Sequence, residues 1–328
     1  MPDQIARLTY AQAANAALRR ALDELPKTLL FGEDVAIPGG VFGVTKGLRK
    51  EFGDRVFDTP ISESAILGGA VGTALMGLRP IVEIMWVDFS LVALDQIINQ
   101  AANVRYLSRG SVSAPITIRT QQGTMPGACA QHSQSLEALF SHIPGLQVCM
   151  PGNAQDAYDL LWTAINTDDP CLVIENRTLY HGERTEVSVG GPALPVGASR
   201  LVRPGRDLTI VSWGATVHQC EQAAEDLLAH GVDAEIIDLR WLRPLDTATV
   251  LESVARTGRL LVAHEAHRFA GMGAEVVATV AESGVHLSAA PVRVAMPDAR
   301  IPAAPTLLAA LVPNAQWISS AAERLVAV

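Results

Sequence analysis

Four polar features of this chain could do chemistry. Glu63 stands at the head of "SESAILGGAVGTALMGL", a run with no other charge. A carboxyl group there has two uses. It can be a first-turn acid that complements a helix N-terminus. Walled by apolar side chains, it can instead have a raised pKa and exchange protons. Glu33 and Asp34, in "TLLFGEDV", fall just past a strand-like run. That is the carboxyl end, where α/β proteins bind ligands, although a turn or helix cap is the plainer role. His132, in "AQHSQ", follows the glycine-containing stretch "QQGTMPGACA". A loop imidazole among amides and hydroxyls suits proton transfer, and equally a satisfied structural ring. Trp86 and Phe89, in "MWVDFS", lie at a strand exit, where aromatic rings either stack on a flat ligand or fill a core.

The usual hydrolase and dehydrogenase signatures are missing. The chain has no Walker loop, no GxGxxG after a strand, no GxSxG elbow and no HExxH. "GGVFG" and "FAGMGAE" do not keep dinucleotide spacing. Cys129, Cys149, Cys171 and Cys220 form no CxxC pair, which predicts buried thiols in a reducing cytosol rather than zinc or a redox motif.

The elements that must hold these residues alternate between helix and strand. Helical period marks residues 8–25, with Thr9 as cap, then 62–78 with Ser62 near its cap, 90–108, 134–143 and 154–167. Buried-strand runs fall between them, as in "RPIVEIMWV", "APITIRTQQG", "LQVCMPG" and "PCLVIEN". Residues 184–206 lack helical period and are rich in Gly, Pro and Val; they read as a linker. A second alternating unit follows, from "DLTIVSWGA" to "PVRVAMPD". The expectation is therefore α/β, with two doubly wound parallel-sheet domains over 1–185 and 205–328, joined by a linker at 186–204.

Composition narrows the partners. A chain of 328 residues suits two domains, and 49% hydrophobic residues can fill both cores. Only 18% are charged, which predicts a surface partly covered by another subunit; an Ala-rich chain with large cores is the alternative. The net charge of −9, with no basic block, argues against nucleic acid. The N-terminal residues show no apolar signal core, and the longest uncharged stretch, Ala65 to Leu78, is too short and Gly-rich to span a bilayer. Cytoplasmic residence is the expectation.

Taken in order, "DTPISESA", "GLRPIVEIMWVDF", "DQIINQAA", "AQHSQ" and "IPGLQV" resemble the beta subunit of the thiamine-diphosphate-dependent first component of 2-oxo-acid dehydrogenase complexes. The family includes pyruvate, branched-chain and acetoin dehydrogenases. The resemblance covers essentially the whole chain. It implies a transketolase-like pyrimidine-binding domain followed by a transketolase-type C-terminal domain carrying "IDLRWLRPLD" and "HEA".

Residue by residue, the resemblance implies that Glu63 bonds the aminopyrimidine nitrogen of the cofactor. A tuned carboxyl there can hold the proton exchanged when the reactive carbon is deprotonated. Phe89 would stack on the pyrimidine, and Met85 would line the same pocket. His132 would donate a proton during acyl transfer to lipoamide. Glu33, counted with the cofactor-binding residues, would lie in an acidic, water-filled passage between two active sites and couple them through protons. Backbone oxygens of Ile116, Ala164, Ile165, Thr167 and Asp169 match a potassium site of the family, which more often carries Asp where this chain has Thr167.

No GDG motif is present, and "FGDR" does not fit one. The resemblance thus implies that an alpha subunit supplies the magnesium and diphosphate grip, in an alpha2-beta2 heterotetramer. The C-terminal domain would dock the subunit-binding domain of a lipoyl acyltransferase. "GVTKGL", "DTPISESAI" and "VDF" are closer to pyruvate- and acetoin-type chains than to branched-chain ones. Two readings of other kinds stay open, a non-catalytic scaffold subunit and a single-chain transketolase-like enzyme.

Overall fold

The computed structural model of the chain describes residues 4–327. The strands are β1 (Gln4–Leu8), β2 (Thr28–Gly32), β3 (Val56–Asp58), β4 (Arg79–Ile84), β5 (Thr117–Gln122), β6 (Gln147–Cys149), β7 (Cys171–Asn176), β8 (Thr185–Val189), β9 (Arg200–Arg203), β10 (Leu208–Ser212), β11 (Ala234–Asp238), β12 (Trp241–Arg243), β13 (Leu260–His267) and β14 (Val292–Met296). The longer helices are α1 (Tyr10–Glu24), α2 (Glu63–Leu75), α3 (Ala154–Asn166), α4 (Thr216–Ala229), α5 (Thr247–Thr257), α6 (Gly273–Glu282) and α7 (Ala315–Val326).

The chain forms two units. The first runs to Gln122 and resumes over Leu139–Val196; the second takes Gly123–Ala138 and the residues from Gly197 on. Residues 123–138, expected with the first domain, therefore cluster with the second.

In the first unit six strands form a parallel sheet in the order β6-β7-β5-β4-β2-β3. Every crossover lies outside the sheet plane, so all strand carboxyl ends share one edge. The inner strands β4, β5 and β7 are buried on both faces, which explains the near-continuous apolar runs of β4 and β7, whereas the edge strand β3 is partly exposed. On one face α1 packs against α3. Ala13, Ala14, Ala17 and Ala21 are buried there, and their small side chains let the two helices approach. Thr9 accepts from the Gln12 N–H while the Gln12 side chain accepts from the Thr9 N–H, a reciprocal cap that fixes where α1 starts.

The second unit builds a sheet in the order β14-β13-β10-β11-β9, parallel except for the β9 edge. Its core joins Leu208, Ile210, Leu227, Ile236 and Leu261 to Ile318 and Leu325 from α7. This is the expected α/β architecture, with one antiparallel edge strand.

Three local features differ from the expectations. The segment read as a linker carries strands β8 and β9, and β8 pairs antiparallel with the N-terminal β1. The alternation in "TEVSV", with Val187 buried, explains that pairing. Residues 87–107 are not one helix. They pass through a 3₁₀ turn (Val87–Ala93), a π turn (Gln96–Gln100), a second 3₁₀ turn (Ala101–Asn103) and a short α turn (Val104–Leu107). Such interruptions cluster at functional sites. Finally, Cys149, Cys171 and Cys220 are buried free thiols as expected, whereas Cys129 is only half-buried.

Candidate functional site

The carboxyl edge of the first sheet gathers the polar residues singled out above. β2 ends at Gly32 and delivers Glu33 and Asp34. Gly32 has φ +155°, and a Cβ there would lie 2.5 Å from the Glu83 carbonyl oxygen, so only glycine lets the loop leave the sheet so close to β4. Asp34 holds φ 57°, a left-handed conformation that Asp tolerates better than most residues. The Asp58 carboxylate, at the end of β3, accepts from the Ala36 N–H at 2.7 Å and the Ile37 N–H at 3.1 Å. It ties the outgoing loop to the neighbouring strand.

Five residues beyond β3, Glu63 is the first residue of α2, and Ser62 is its N-cap without a capping hydrogen bond. The Glu63 carboxyl is buried at the start of this helix. Among the described residues it has no hydrogen-bond partner. Glu33 is also buried, and its Oε1 has no partner among the described residues. Burial, then the charges of Glu63 and Asp34, raise the Glu33 carboxyl above the usual carboxylate range. Two carboxyl groups thus share one edge with acceptor capacity unfilled, a donor-seeking arrangement.

β4 delivers Met85 and Trp86 to the same edge. Trp86 has φ 59° and ψ 133°, an uncommon conformation for a bulky residue that costs about 1–3 kcal/mol. Its N–H donates to Gln121 Oε1 at 3.1 Å. Gln121 Nε2 in turn donates to Glu83 Oε1 at 3.2 Å. Glu83 belongs to a fully buried cluster in which Arg119 donates to Glu83 at 2.5 Å and twice to Glu175 at 2.7 Å, while the Tyr180 hydroxyl donates to Glu175 at 2.5 Å. Arg119 faces two carboxylates, and burial raises the Glu83 carboxyl despite Arg119. The strained backbone at Trp86 is therefore anchored to a charged cluster of the sheet interior. Past it, Phe89 meets the Trp86 ring edge-to-face at 5.7 Å, and Phe42 meets it at 6.1 Å.

The structure brings Glu33, Glu63, Met85 and Phe89 to one edge of one unit. It assigns His132 to the second unit, half-buried in the segment Gly123–Ala138, just after a 3₁₀ turn at Cys129–Gln131. The five positions matched to a potassium site lie in the first unit, and several of their oxygens already have donors. The Arg79 guanidinium donates to the Ile165 carbonyl at 3.1 Å and the Thr167 carbonyl at 2.9 Å. The Ile116 carbonyl accepts from Cys171, the Ala164 carbonyl from Thr167, and the Asp169 carboxylate pairs with Arg105. Among the described residues no group of three or more His, Cys, Asp or Glu could hold a metal ion.

Asp58, Gln121 and Arg79 escaped the sequence reading. Each acts through a hydrogen bond to backbone from a neighbouring strand or segment, which spacing along one strand does not reveal. "DTP" and "TQQG" at strand ends were the available signals.

Around α2 an open cleft of about 320 Å³ is lined by Phe31, Phe57, Pro60, Ala65, Ile66 and Gly69. Among the described residues a Cβ at Gly69 or Gly72 would meet nothing, and one at Gly68 would meet only the Gln96 side chain at 3.6 Å. These glycines do not serve packing within this chain. Ile61 is 83% exposed and Met76 82%, at the two ends of the helix.

Residues 6–183 match the family described as "Transketolase, pyrimidine binding domain", and residues 197–318 match "Transketolase, C-terminal domain". The chain is 42% identical over 329 residues to the "Acetoin:2,6-dichlorophenolindophenol oxidoreductase subunit beta" of Cupriavidus necator, covering 97% of both chains. It is 42% identical over 300 residues to the "Pyruvate dehydrogenase E1 component subunit beta" of Bacillus subtilis, covering 91% of this chain and 92% of the relative. The similarly named subunit of Acholeplasma laidlawii is 41% identical over 302 residues, with 92% of each chain covered. A solved structure titled "Split gene transketolase, inactive beta4 tetramer" superposes with a TM-score of 0.80 at 23% identity, over 98% of this chain and 99% of that one. That likeness concerns the fold.

Proposed function

The chain belongs to the transketolase-like beta subunits of 2-oxo-acid dehydrogenase first components, and on that premise we propose that it forms, with an alpha subunit, a thiamine-diphosphate enzyme that decarboxylates a pyruvate-like 2-oxo acid and passes the acyl group to lipoamide. The observation that carries this reading is that one sheet edge receives two buried carboxyl groups, Glu33 and Glu63, together with the strained Trp86 and the ring of Phe89. Unfilled carboxyl acceptors beside an aromatic face fit an amino-substituted heteroaromatic ring.

The residues present fit the pyrimidine half of thiamine diphosphate. Glu63 would hold a proton at the ring nitrogen, Phe89 would stack on the ring and Met85 would close its rim. When bound, the cofactor supplies the carbon that takes up the 2-oxo acid and lets carbon dioxide leave. Glu63 is suited to moving the proton involved, because it is buried, where water competes little for it, and has no other hydrogen-bond partner among the described residues. Glu33, its carboxyl raised by burial and by the charges of Glu63 and Asp34, would be a second proton-exchanging group on the same acidic edge. His132 would donate a proton to the departing sulfur during acyl transfer.

No GDG motif occurs, so the diphosphate and its magnesium fall to the alpha subunit in this reading. The open apolar cleft along α2, with Gly69 and Gly72 facing empty space, supports burial of that helix by another chain in an alpha2-beta2 assembly. Docking of a lipoyl acyltransferase on the C-terminal unit belongs to the same reading. So does a cytoplasmic site of action, which the free thiols suit. No helix among the described residues is long and apolar enough to cross a membrane. A structural potassium ion is not part of it: the Arg79 guanidinium already brings positive charge to the Ile165 and Thr167 carbonyls.

Acetoin is the second substrate to test, because the relative named for it matches along 97% of both chains. Co-expression with a GDG-bearing alpha subunit, followed by turnover on pyruvate, branched 2-oxo acids and acetoin, tests the proposal. Pyruvate as best substrate supports it, and acetoin as best substrate moves the chain to the second reading. An assembled complex that binds no thiamine diphosphate would leave a scaffold subunit instead. Cofactor binding by the isolated chain would point to a single-chain enzyme.

A further inference from the structure

The second unit raises a separate question: what occupies the carboxyl edge of its sheet, where open α/β sheets bind ligands? The structure fills that edge with the chain's own segment Gly123–Ala138. Glu265, on β13, accepts from the Thr124 N–H at 2.5 Å. Trp213, the residue after β10, donates from Nε1 to Glu137 Oε1 at 3.3 Å. The Gly127 N–H donates to the Ala303 carbonyl at 3.0 Å. The segment is thus held at Thr124 and Gly127 near its start and at Glu137 near its end, and His132 lies between Gly127 and Glu137.

The local structure around Glu265 is specialised for this. The register of β13 against β14 shifts between Ala263 and His267, so "HEA" occupies an irregularity of the ladder. Such irregularities re-aim side chains next to functional sites. The preceding residue, His264, is fully buried and stacks on Trp213 with ring centroids 5.0 Å apart and planes 12° from parallel. Burial, then the charge of Arg293, lower its pKa to about 4, so the ring is neutral near pH 7. The glycines of "FAGMGAE" make room for it: a Cβ on Gly271 would lie 2.8 Å from the imidazole and one on Gly273 2.6 Å. His264 therefore braces Trp213, and Trp213 and Glu265 hold the segment. "HEA" and "FAGMGAE", which carried no chemistry in the sequence, become parts of one socket.

We propose that Glu265 and Trp213 are positioning residues for His132, and that the carboxyl edge of the second sheet serves as the socket of the histidine loop rather than as a binding site of its own. The proposal rests on the reading that His132 acts in acyl transfer to lipoamide. In that step a carbon–sulfur bond forms to the acyl carbon and the sulfur–sulfur bond of oxidised lipoamide breaks. The electron pair released by decarboxylation reduces the disulfide, and the leaving sulfur takes a proton from His132.

The test uses the complex assembled with its alpha subunit and compares two rates, oxidation of the 2-oxo acid by a soluble dye and acylation of lipoamide. His132→Ala is the reference; it should lower the lipoamide rate about 100-fold or more while sparing the dye rate. Glu265→Leu should lower the lipoamide rate roughly tenfold or more, leave the dye rate and thiamine diphosphate binding within about twofold, and speed hydrogen exchange at Thr124. Glu265→Gln, which keeps an oxygen acceptor, should recover most of the loss. Trp213→Phe, which keeps the ring that stacks on His264, should show the same selective loss and carries the test if Glu265→Leu does not assemble. Equal loss of both rates, or an unchanged lipoamide rate in both Glu265→Leu and Trp213→Phe, overturns the proposal. An unaffected lipoamide rate in His132→Ala would instead remove the reading beneath it.

Discussion

The charge of Glu63 and the burial of Glu33 act on the same carboxyl group. Burial contributes most, and Glu63, with Asp34, adds like-charge repulsion, so the Glu33 pKa is raised. A raised folded pKa means stability that is present below the ordinary carboxylate range and lost as pH rises through the folded value. Glu33→Gln should therefore raise the melting temperature of the cofactor-free protein at pH 7 by roughly 2–4 °C, and the gain should shrink toward pH 4. Thermal unfolding across that range measures it. A gain that is constant with pH would dissociate Glu33 from the Glu63 charge.

Glu63 carries the proton chemistry in the proposed reading. Glu63→Gln preserves shape and removes the proton exchange. Turnover of the assembled complex should fall about 10²–10⁴-fold, the usual worth of a positioned acid–base group. Assembly, read by sedimentation, should be intact. Near-normal turnover in that variant would sink the assignment.

Gln121 links the strained Trp86 to the buried Glu83–Arg119–Glu175 cluster. Gln121→Leu leaves the Trp86 N–H without its acceptor and Glu83 without one donor, a cost of about 1–3 kcal/mol. With Trp86 released, Phe89 loses its fixed place, and thiamine diphosphate should bind the assembled complex roughly tenfold more weakly, about 1.4 kcal/mol. Calorimetric titration reads this. An unchanged dissociation constant would mean that the Trp86 backbone holds its conformation without Gln121.

The Arg79 guanidinium bonds two of the carbonyls that a potassium ion would use. Turnover in potassium salts and in salts of a large organic cation should then agree within about twofold at equal ionic strength, where general screening is matched. A steep loss on removing potassium would return those oxygens to a bound ion.

The alternation of the two sheets was legible because parallel strands buried on both faces read as continuous runs, as in "RPIVEI" and "CLVIEN". Thr9 caps α1 with the reciprocal bonds its type predicts, and Ser62 stands at the N-cap of α2 without making a capping bond. Three features were illegible for reasons of range. β1 pairs with β8 across 177 or more residues of chain, as the Arg7 side chain on the Arg184 carbonyl also shows. The apolar spacing of 90–108 is helical on average, yet the backbone switches between 3₁₀, π and α turns there. At the site, residue types pointed to Glu63, Glu33 and Phe89, while Asp58 and Gln121 are meaningful only once neighbouring strands are in register. "HEA" was visible as a motif, but its partner Thr124 lies 141 residues away.

Because Gly123–Ala138 clusters with the residues from Gly197 on, the second unit is discontinuous along the chain. Its module for exchange is therefore two stretches of sequence and not one. A chimera that grafts residues 197–327 from a relative, while keeping the host's 123–138, would pair the grafted Glu265 and Trp213 with a loop they were not selected to hold. Exchange of the two segments together is the swap that respects the wiring. Cutting the chain near residue 196 to obtain a free first half would likewise strand the histidine loop away from its anchors, so the dividing line suggested by the polypeptide's length is the wrong one for dissection.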